Sequence, residues 1–237
     1  MEKLNLAPLE IKKIQKIIES KETEDLLACL ESLEIHAESI GEGGNAEVFA
    51  ITEGPFSKVC LKRIKEMPQL VCNSIDREHE LQYKARKGGV RTPLTLISIE
   101  TEKGNFFIME KITGSTVEEV LAAPSKLPEA FSVETFMNDL TEQVQKMHNS
   151  EIHHRDLHSR NIMVNEEGLP VIIDFGTASE GSGSDFTYEE LATVYNTTNG
   201  KYEDVAGKFK DDDMMVRNMR SALAPLGLQQ KLTKRSN

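Results

Sequence analysis

The chain has 237 residues, a formal net charge of −11 at pH 7, 38% apolar residues and three cysteines. That length can bury a core without disulfides or structural metal, and the apolar content excludes global disorder. The acidic balance argues against nucleic acid as the main partner, because such affinity comes from neutralising phosphate.

Cys29, Cys60 and Cys72 form no CxxC pair, a pattern of reduced thiols. Cys60 reads as core packing rather than a redox switch. Residues 1–9 carry charges and a proline with no apolar signal segment. No run approaches the roughly 18 apolar residues needed to span a bilayer. The expectation is a soluble cytoplasmic protein with no membrane span.

Residues 8–34 predict a helical pair. Ile11, Ile14, Ile17 and Ile18 share one face, and Leu26, Leu27, Leu30 and Leu33 repeat the pattern. Such a stripe implies packing on the following domain rather than docking or regulation. From Ile35 the period shortens, with strands expected at 35–40, 47–52 and 57–63. A charged helix follows at 75–87. Strands at 94–99 and 106–109 are joined by a turn at 101–105.

After Met109 the chain turns mainly helical. Ser115-Thr-Val-Glu118 has the form of a capping box, and a longer helix is expected over 133–148. Two short apolar runs, 162–164 and 171–173, predict a hairpin. Thr177 to Ser184 is small and polar, which predicts a mobile loop. Phosphate on Ser179, Ser182, Ser184, Thr187 or Tyr188 would pair with Arg155 and order it. Helices are expected at 186–195 and 211–223, and a flexible tail at 229–237.

His154-Arg-Asp-Leu-His-Ser-Arg-Asn161 precedes the hairpin, and Asp174-Phe-Gly176 follows it. Asp156 and Asn161 therefore lie on a loop and Asp174 at a strand end. Hard oxygen donors placed this way suit magnesium on a nucleotide and a hydroxyl aimed at its terminal phosphate. Upstream, Ile40-Gly-Glu-Gly-Gly-Asn-Ala-Glu-Val48 lies between two strands, where glycine lets backbone amides approach phosphate. Val59-Cys-Leu-Lys62 comes on the next strand. No Gly-Lys-Ser/Thr follows the glycines, so the loop is not of the Walker type. In order and spacing these segments resemble the protein kinase superfamily.

The resemblance covers about residues 35–220. It implies an α+β, protein kinase-like two-lobe fold, with a small antiparallel-sheet N-lobe, one inserted helix and a shortened helical C-lobe. The expected domains are a helical extension at 1–34, N-lobe and hinge at 35–112, C-lobe at 113–228 and tail at 229–237. ATP and magnesium are the implied cofactors. Asp156 would accept or orient the acceptor proton. Lys62 would hold the α- and β-phosphates, Asp174 would bind magnesium, and Asn161 would bind a second magnesium and brace Asp156. Ile40, Gly41, Gly43, Gly44 and Val48 would bind the nucleotide, with Ala46 where a third glycine is usual. Met109, Glu110 and Ile112 would form the hinge side. Arg77 to Val90 resembles the corresponding helix of the smallest atypical kinases, including that of the tRNA-modification complex. That alignment selects Glu78 to anchor Lys62 and leaves Glu80 as a solvated charge.

Two features depart from ordinary serine/threonine kinases. His158 stands where they carry lysine, as in small-molecule kinases, yet those commonly carry glycine where this chain has Arg155. No Ala-Pro-Glu follows Gly176, and the remaining chain is short for a full helical lobe, as in RIO-type and bacterial effector kinases. One of Asp211, Asp212 and Asp213 would brace the catalytic loop, or simply start a helix. His148, His153, His154 and His158 cluster without a standard structural-zinc spacing. The resemblance to the kinase motif implies a buried bracing role for His154, with a zinc site as the alternative.

The expected function is an ATP- and magnesium-dependent protein serine/threonine kinase, with a protein substrate or regulatory protein as partner. The alternatives are a small-molecule kinase acting on a sugar or antibiotic, and a partner-regulated pseudokinase. The joint presence of Lys62, Glu78, Asp156, Asn161 and Asp174 weighs against loss of catalysis.

Overall fold

Five strands form one antiparallel sheet in the order β1-β2-β3-β5-β4. They are β1 (Ala37–Glu42), β2 (Ala46–Ile51), β3 (Val59–Ile64), β4 (Thr95–Thr101) and β5 (Gly104–Glu110). The structure, a computed structural model, describes residues 37–42, 46–51, 59–65, 73–101, 104–181, 193–196, 201–204 and 212–236. The expected helical pair at 8–34, Gly43, Gly44, Cys29, Cys72 and the hydroxyls at 182–188 lie outside these residues.

Residues opposite one another across a sheet share a face. Lys62 lies between Val48 and Phe107, and Cys60 between Ala50 and Met109. One face therefore carries these six side chains, with Lys62 the one charge among them. Phe49, Leu61 and Ile108 occupy the other face, together with a Glu47–Arg63 ion pair at 2.8 Å.

By its contacts the chain divides into two compact units, residues up to 68 with 95–111, and 69–94 with 112 onward. The first holds β1 to β5. The second holds α1 (Ile75–Lys87), β6 (Gly114–Thr116), α2 (Val117–Ala122) and α3 (Val133–Asn149). It continues with β7 (Ile152–His153), β8 (Ile162–Asn165), β9 (Pro170–Ile172) and β10 (Ser179–Glu180). It ends with β11 (Thr193–Asn196), β12 (Lys201–Asp204) and α4 (Asp212–Ser236). Small sheets β6-β8-β9, β10-β7 and β11-β12 join these pieces.

The core of the second unit gathers Leu81 and Ala85 of α1, Phe136, Met137 and Leu140 of α3, Phe175, and Leu223 of α4. Their burial follows helical spacing: Leu81 and Ala85 are four apart, as are Phe136 and Leu140, so each pair covers one stripe. None of the helices among the described residues is long and apolar enough to cross a membrane.

Four local expectations are corrected. The capping box belongs to Thr116 and Glu119, not Ser115 and Glu118. The Thr116 hydroxyl accepts from the Glu119 amide at 3.2 Å, and the Glu119 carboxylate accepts from the Thr116 amide at 2.8 Å. This register turns Val117 and Val120 inward and leaves Ser115 paired with Val164 in the sheet. Residues 178–180 are not a mobile loop, because Ala178 and Ser179 are buried and β10 pairs with β7. Residues 193–195 lie in a strand rather than a helix, paired with β12 through the β-formers Thr193, Val194 and Tyr195. Finally, α4 runs through Pro225 to Ser236 instead of stopping at 223 and fraying from 229. A proline lacks a single helix hydrogen bond, and Leu223 and Leu226 are buried on either side of it.

Gly168 closes the β8–β9 turn with φ +76°, and a Cβ there would stand 2.8 Å from Phe131 Cα. Gly168→Ala is expected to cost about 2 kcal/mol through left-handed strain alone. The corresponding fall in Tm, roughly 5 °C, is read by thermal unfolding.

Candidate active site

The hairpin positions the second unit's acidic and amide groups. Ile162 pairs with Ile172, so Asn161 enters β8 at the end where Asp174 leaves β9. The Ile173 amide donates to the Asn161 carbonyl at 3.0 Å and ties these two ends together. Asn161 is buried, and its Nδ2 donates to the Asp156 carbonyl at 2.8 Å and to Asp156 Oδ2 at 3.4 Å. Those bonds fix Asp156 from behind and leave Asn161 Oδ1 for another role. Asp174 is exposed, and its Oδ1 accepts from the Gly176 amide at 3.2 Å. A carboxylate and an amide oxygen are the hard donors that magnesium takes, so the donor set fits that ion.

Asp174 and Arg155 both adopt φ +66°. Left-handed backbone costs a non-glycine residue about 1–2 kcal/mol and persists where the surroundings enforce it. Around Arg155 the enforcing group is Asp212, the first residue of α4, which is 5% exposed. Its carboxylate accepts from the His154 amide at 2.8 Å and the Arg155 amide at 3.0 Å, and His148 Nε2 lies 3.1 Å away. Burial alone would push its pKa up, but the His148 hydrogen bond and the nearby His154 outweigh burial and hold it below the ordinary value. Of the candidate aspartates, Asp212 holds the loop, while Asp211 lies outside the described residues.

His154 is fully buried, donates from Nε2 to the Ile173 carbonyl at 3.0 Å, and lies 5.1 Å from the Phe175 ring. It thus links the loop to the far end of the hairpin, as its assigned bracing role requires. His158 accepts the Arg160 amide at Nδ1 (3.2 Å), which turns Nε2 towards Asp156 Oδ2 at 3.5 Å. Burial raises the Asp156 pKa above the ordinary aspartate value; His158 and His154 pull it back, and Asp174 adds to the rise.

In α1, Glu78 is 1% exposed, whereas Glu80 pairs with Arg77 at the surface, at 2.7 Å. The helix is tied to the segment after Asp174 at both of its ends. Asn73 Nδ2 donates to the Phe175 and Ala178 carbonyls at 3.1 and 2.8 Å, and its amide donates to Gly176 at 2.6 Å. Further along, Arg77 and Lys84 both pair with Glu180. Ser179 accepts from Arg155 Nε at 2.5 Å and is 3% exposed, so Arg155 already engages the serine proposed as its phosphate-bearing partner.

In the first unit, Lys62 is 5% exposed in the centre of its sheet face. Val48 sits beside Gly41, whose added Cβ would meet Val48 Cβ at an ordinary 3.9 Å, and Ile40 is exposed. Met109 and Glu110 end β5, and Ile112 begins the second unit. The Cys60 thiol donates to the Glu110 carbonyl, and burial pushes its pKa up to about 12. Cys60 is thus an inert core group.

Asn73, Glu180 and His148 were not singled out as parts of the loop's support. Asn73 stands just before Ser74, the N-cap of α1, but the groups it holds lie 102 and 105 residues away. Glu180 shows no signal at all in a run of small polar residues.

A family model for the protein kinase domain matches residues 35–199. The chain is similar to a probable serine/threonine-protein kinase of Dictyostelium discoideum, at 24% identity over 162 residues, 67% of this chain and 32% of that protein. It is also similar to the serine/threonine-protein kinase chk-1 of Caenorhabditis briggsae, at 27% identity over 60% of this chain and 29% of that protein. Sperm motility kinase 3A of Mus musculus is 32% identical over 60% of this chain and 28% of its own length. The matched stretch therefore spans about a third or less of each of these relatives.

Proposed function

The chain belongs to the protein kinase domain family, and on that footing we propose that it transfers the γ-phosphate of ATP to a serine or threonine hydroxyl of a protein. The observation that carries this reading is the supported catalytic loop, with Asp156 fixed by Asn161 and the loop backbone held by buried Asp212. Phosphoryl transfer asks the protein mainly for alignment and charge compensation, and these groups supply the alignment.

Asp156 orients the acceptor hydroxyl and takes its proton at the carboxylate. Asn161 and Asp174 offer oxygen donors to magnesium. Lys62 supplies positive charge for the α- and β-phosphates, with Glu78 as its anchor. Gly41, Gly43 and Gly44 leave room for backbone amides to approach phosphate, Ile40 and Val48 cover the base, and Met109, Glu110 and Ile112 form the hinge side. Magnesium, when bound with ATP, would neutralise charge on the transferring group.

His158 makes the enzyme atypical. Its Nε2 lies 3.5 Å from Asp156 in the place of the usual lysine, and this favours the second reading, a kinase of small-molecule alcohols. Labelled ATP and magnesium offered with protein substrates and with a panel of small alcohols separate the two. Transfer to protein, abolished by Lys62→Met, supports the first reading. Transfer to small alcohols alone supports the second, and nucleotide binding without any transfer sinks both.

The pH profile tests the roles of Asp156 and His158 together. The base must be ionised, so kcat/KM falls as pH drops through the raised Asp156 pKa. Histidine carries charge on the acidic side of neutrality and stabilises a nearby carboxylate. His158→Gln removes that help, and the acidic limb is expected to move to higher pH. A limb that stays in place or moves down assigns it to another group.

A further inference from the structure

His153 takes no part in the phosphotransfer scheme and His148 enters it only by backing Asp212, yet the fold brings the two together. His148 sits in the last turn of α3, His153 on β7 and Asp212 at the start of α4, with one ligand atom from each within 4.8 Å of the others. The two imidazole rings stack with centroids 4.7 Å apart and planes 27° apart. We propose that His148, His153 and Asp212 form a binding site for a zinc-class transition-metal ion behind the catalytic loop.

The donor chemistry selects the ion. Two imidazole nitrogens and one carboxylate suit zinc and its neighbours, whereas magnesium and calcium take oxygen. Bonds of about 2.0–2.2 Å to a tetrahedral ion bring ligand atoms to roughly 3.4 Å from one another. The distance to close is a side-chain adjustment, and the two part-exposed histidines can make it about the buried carboxylate. Asp212 is held from behind by the His154 and Arg155 amides, the kind of outer support that orients a metal-binding carboxylate.

The cation would take the place of the proton shared between His148 and Asp212, with water as a fourth ligand. It would join α3, β7 and α4 at the point where the backbone enters His154 and Arg155. The site stands or falls independently of the phosphotransfer reading.

The test uses the full chain, stripped with EDTA and carrying no histidine tag. Zinc is titrated against a chromophoric chelator without nucleotide, and cobalt(II) is followed by its visible spectrum. The expected result is one equivalent of zinc and an intense tetrahedral cobalt band. His148→Gln and His153→Gln should each weaken zinc at least ~10-fold, while His79→Gln leaves affinity unchanged. Zinc should raise the Tm of the parent chain and not of either variant. An aqua-like cobalt spectrum, or zinc affinity equal in the parent and the His148→Gln/His153→Gln double variant, overturns the proposal. So does an equal loss in His79→Gln. The cobalt spectrum of the parent decides the matter even where a variant folds poorly.

Discussion

Asp174→Asn is expected to lower kcat by about a thousand-fold, the scale on which a single transition-state charge partner acts. The change removes one negative charge from the exposed end of β9 and keeps a side chain of the same shape. Asparagine tolerates the φ of +66° found at this position, and its amide oxygen can still accept from the Gly176 amide at the 3.2 Å seen for Asp174 Oδ1. The fold is therefore left intact, and Tm should stay within about 2 °C, well below the shift of a core defect. Steady-state transfer and a thermal scan on one preparation check both halves. A large fall in Tm would reassign Asp174 as a structural group. Full activity would remove it from the magnesium set.

Asp212→Ala is expected to act through stability and alignment at once. The substitution strips the acceptor from the buried His154 amide, from the part-buried Arg155 amide and from His148. Buried donors left without partners cost about 1–3 kcal/mol each, so a loss of about 3 kcal/mol is the conservative figure. That corresponds to a fall in Tm of roughly 10 °C. The loop that carries Asp156 would relax as well, and small misplacements at a reacting centre cost about a hundred-fold in rate.

The pH dependence of stability isolates the charge. Asp212 has a folded pKa below its ordinary value, with the His148 hydrogen bond and His154 overcoming burial. A depressed carboxylate contributes stability that is complete above its unfolded pKa and is lost as pH falls through the folded one. The parent chain should therefore lose stability below the ordinary aspartate range. Asp212→Asn should show a shallower loss over the same range, measured by urea unfolding at stepped pH. Equal slopes would mean that the carboxylate's charge contributes nothing.

The contrast between these two aspartates shows what could be read before any coordinates. Asp174 belongs to a hairpin whose apolar runs, turn and flanking groups are contiguous, so local pattern places it against Asn161. Glu78 was chosen over Glu80 by the resemblance of its helix to that of the smallest atypical kinases, and it falls with 81, 82 and 85 on the buried side of α1. Asp212 was legible only as one of three adjacent acids. What singles it out is a tertiary bond to a backbone amide 58 residues earlier, for which spacing carries no signal.

Ser179 and Glu180 failed for the same reason. Small polar residues look unable to pack, but here the backbone pairs with His153 and Ile152, and the side chains meet Arg155, Arg77 and Lys84. The capping box slipped by one residue because Ser115 and Thr116 offer the same hydroxyl. Only burial of Val117 and Val120 chooses between them.

The proposed phosphotransfer rests on Asp156, braced by Asn161, receiving a hydroxyl for transfer of phosphate from ATP. Its most direct measurement is a single-turnover assay with excess protein over labelled ATP, comparing the parent chain with Asp156→Asn. Nucleotide binding is followed in parallel by a fluorescent ATP analogue. The expected result is phosphate on an acceptor hydroxyl in the parent chain, and a loss of about a thousand-fold in Asp156→Asn with nucleotide affinity changed less than about threefold. Transfer by Asp156→Asn at the parent rate, or ATP that stays bound and intact on the parent chain with every acceptor offered, would contradict it.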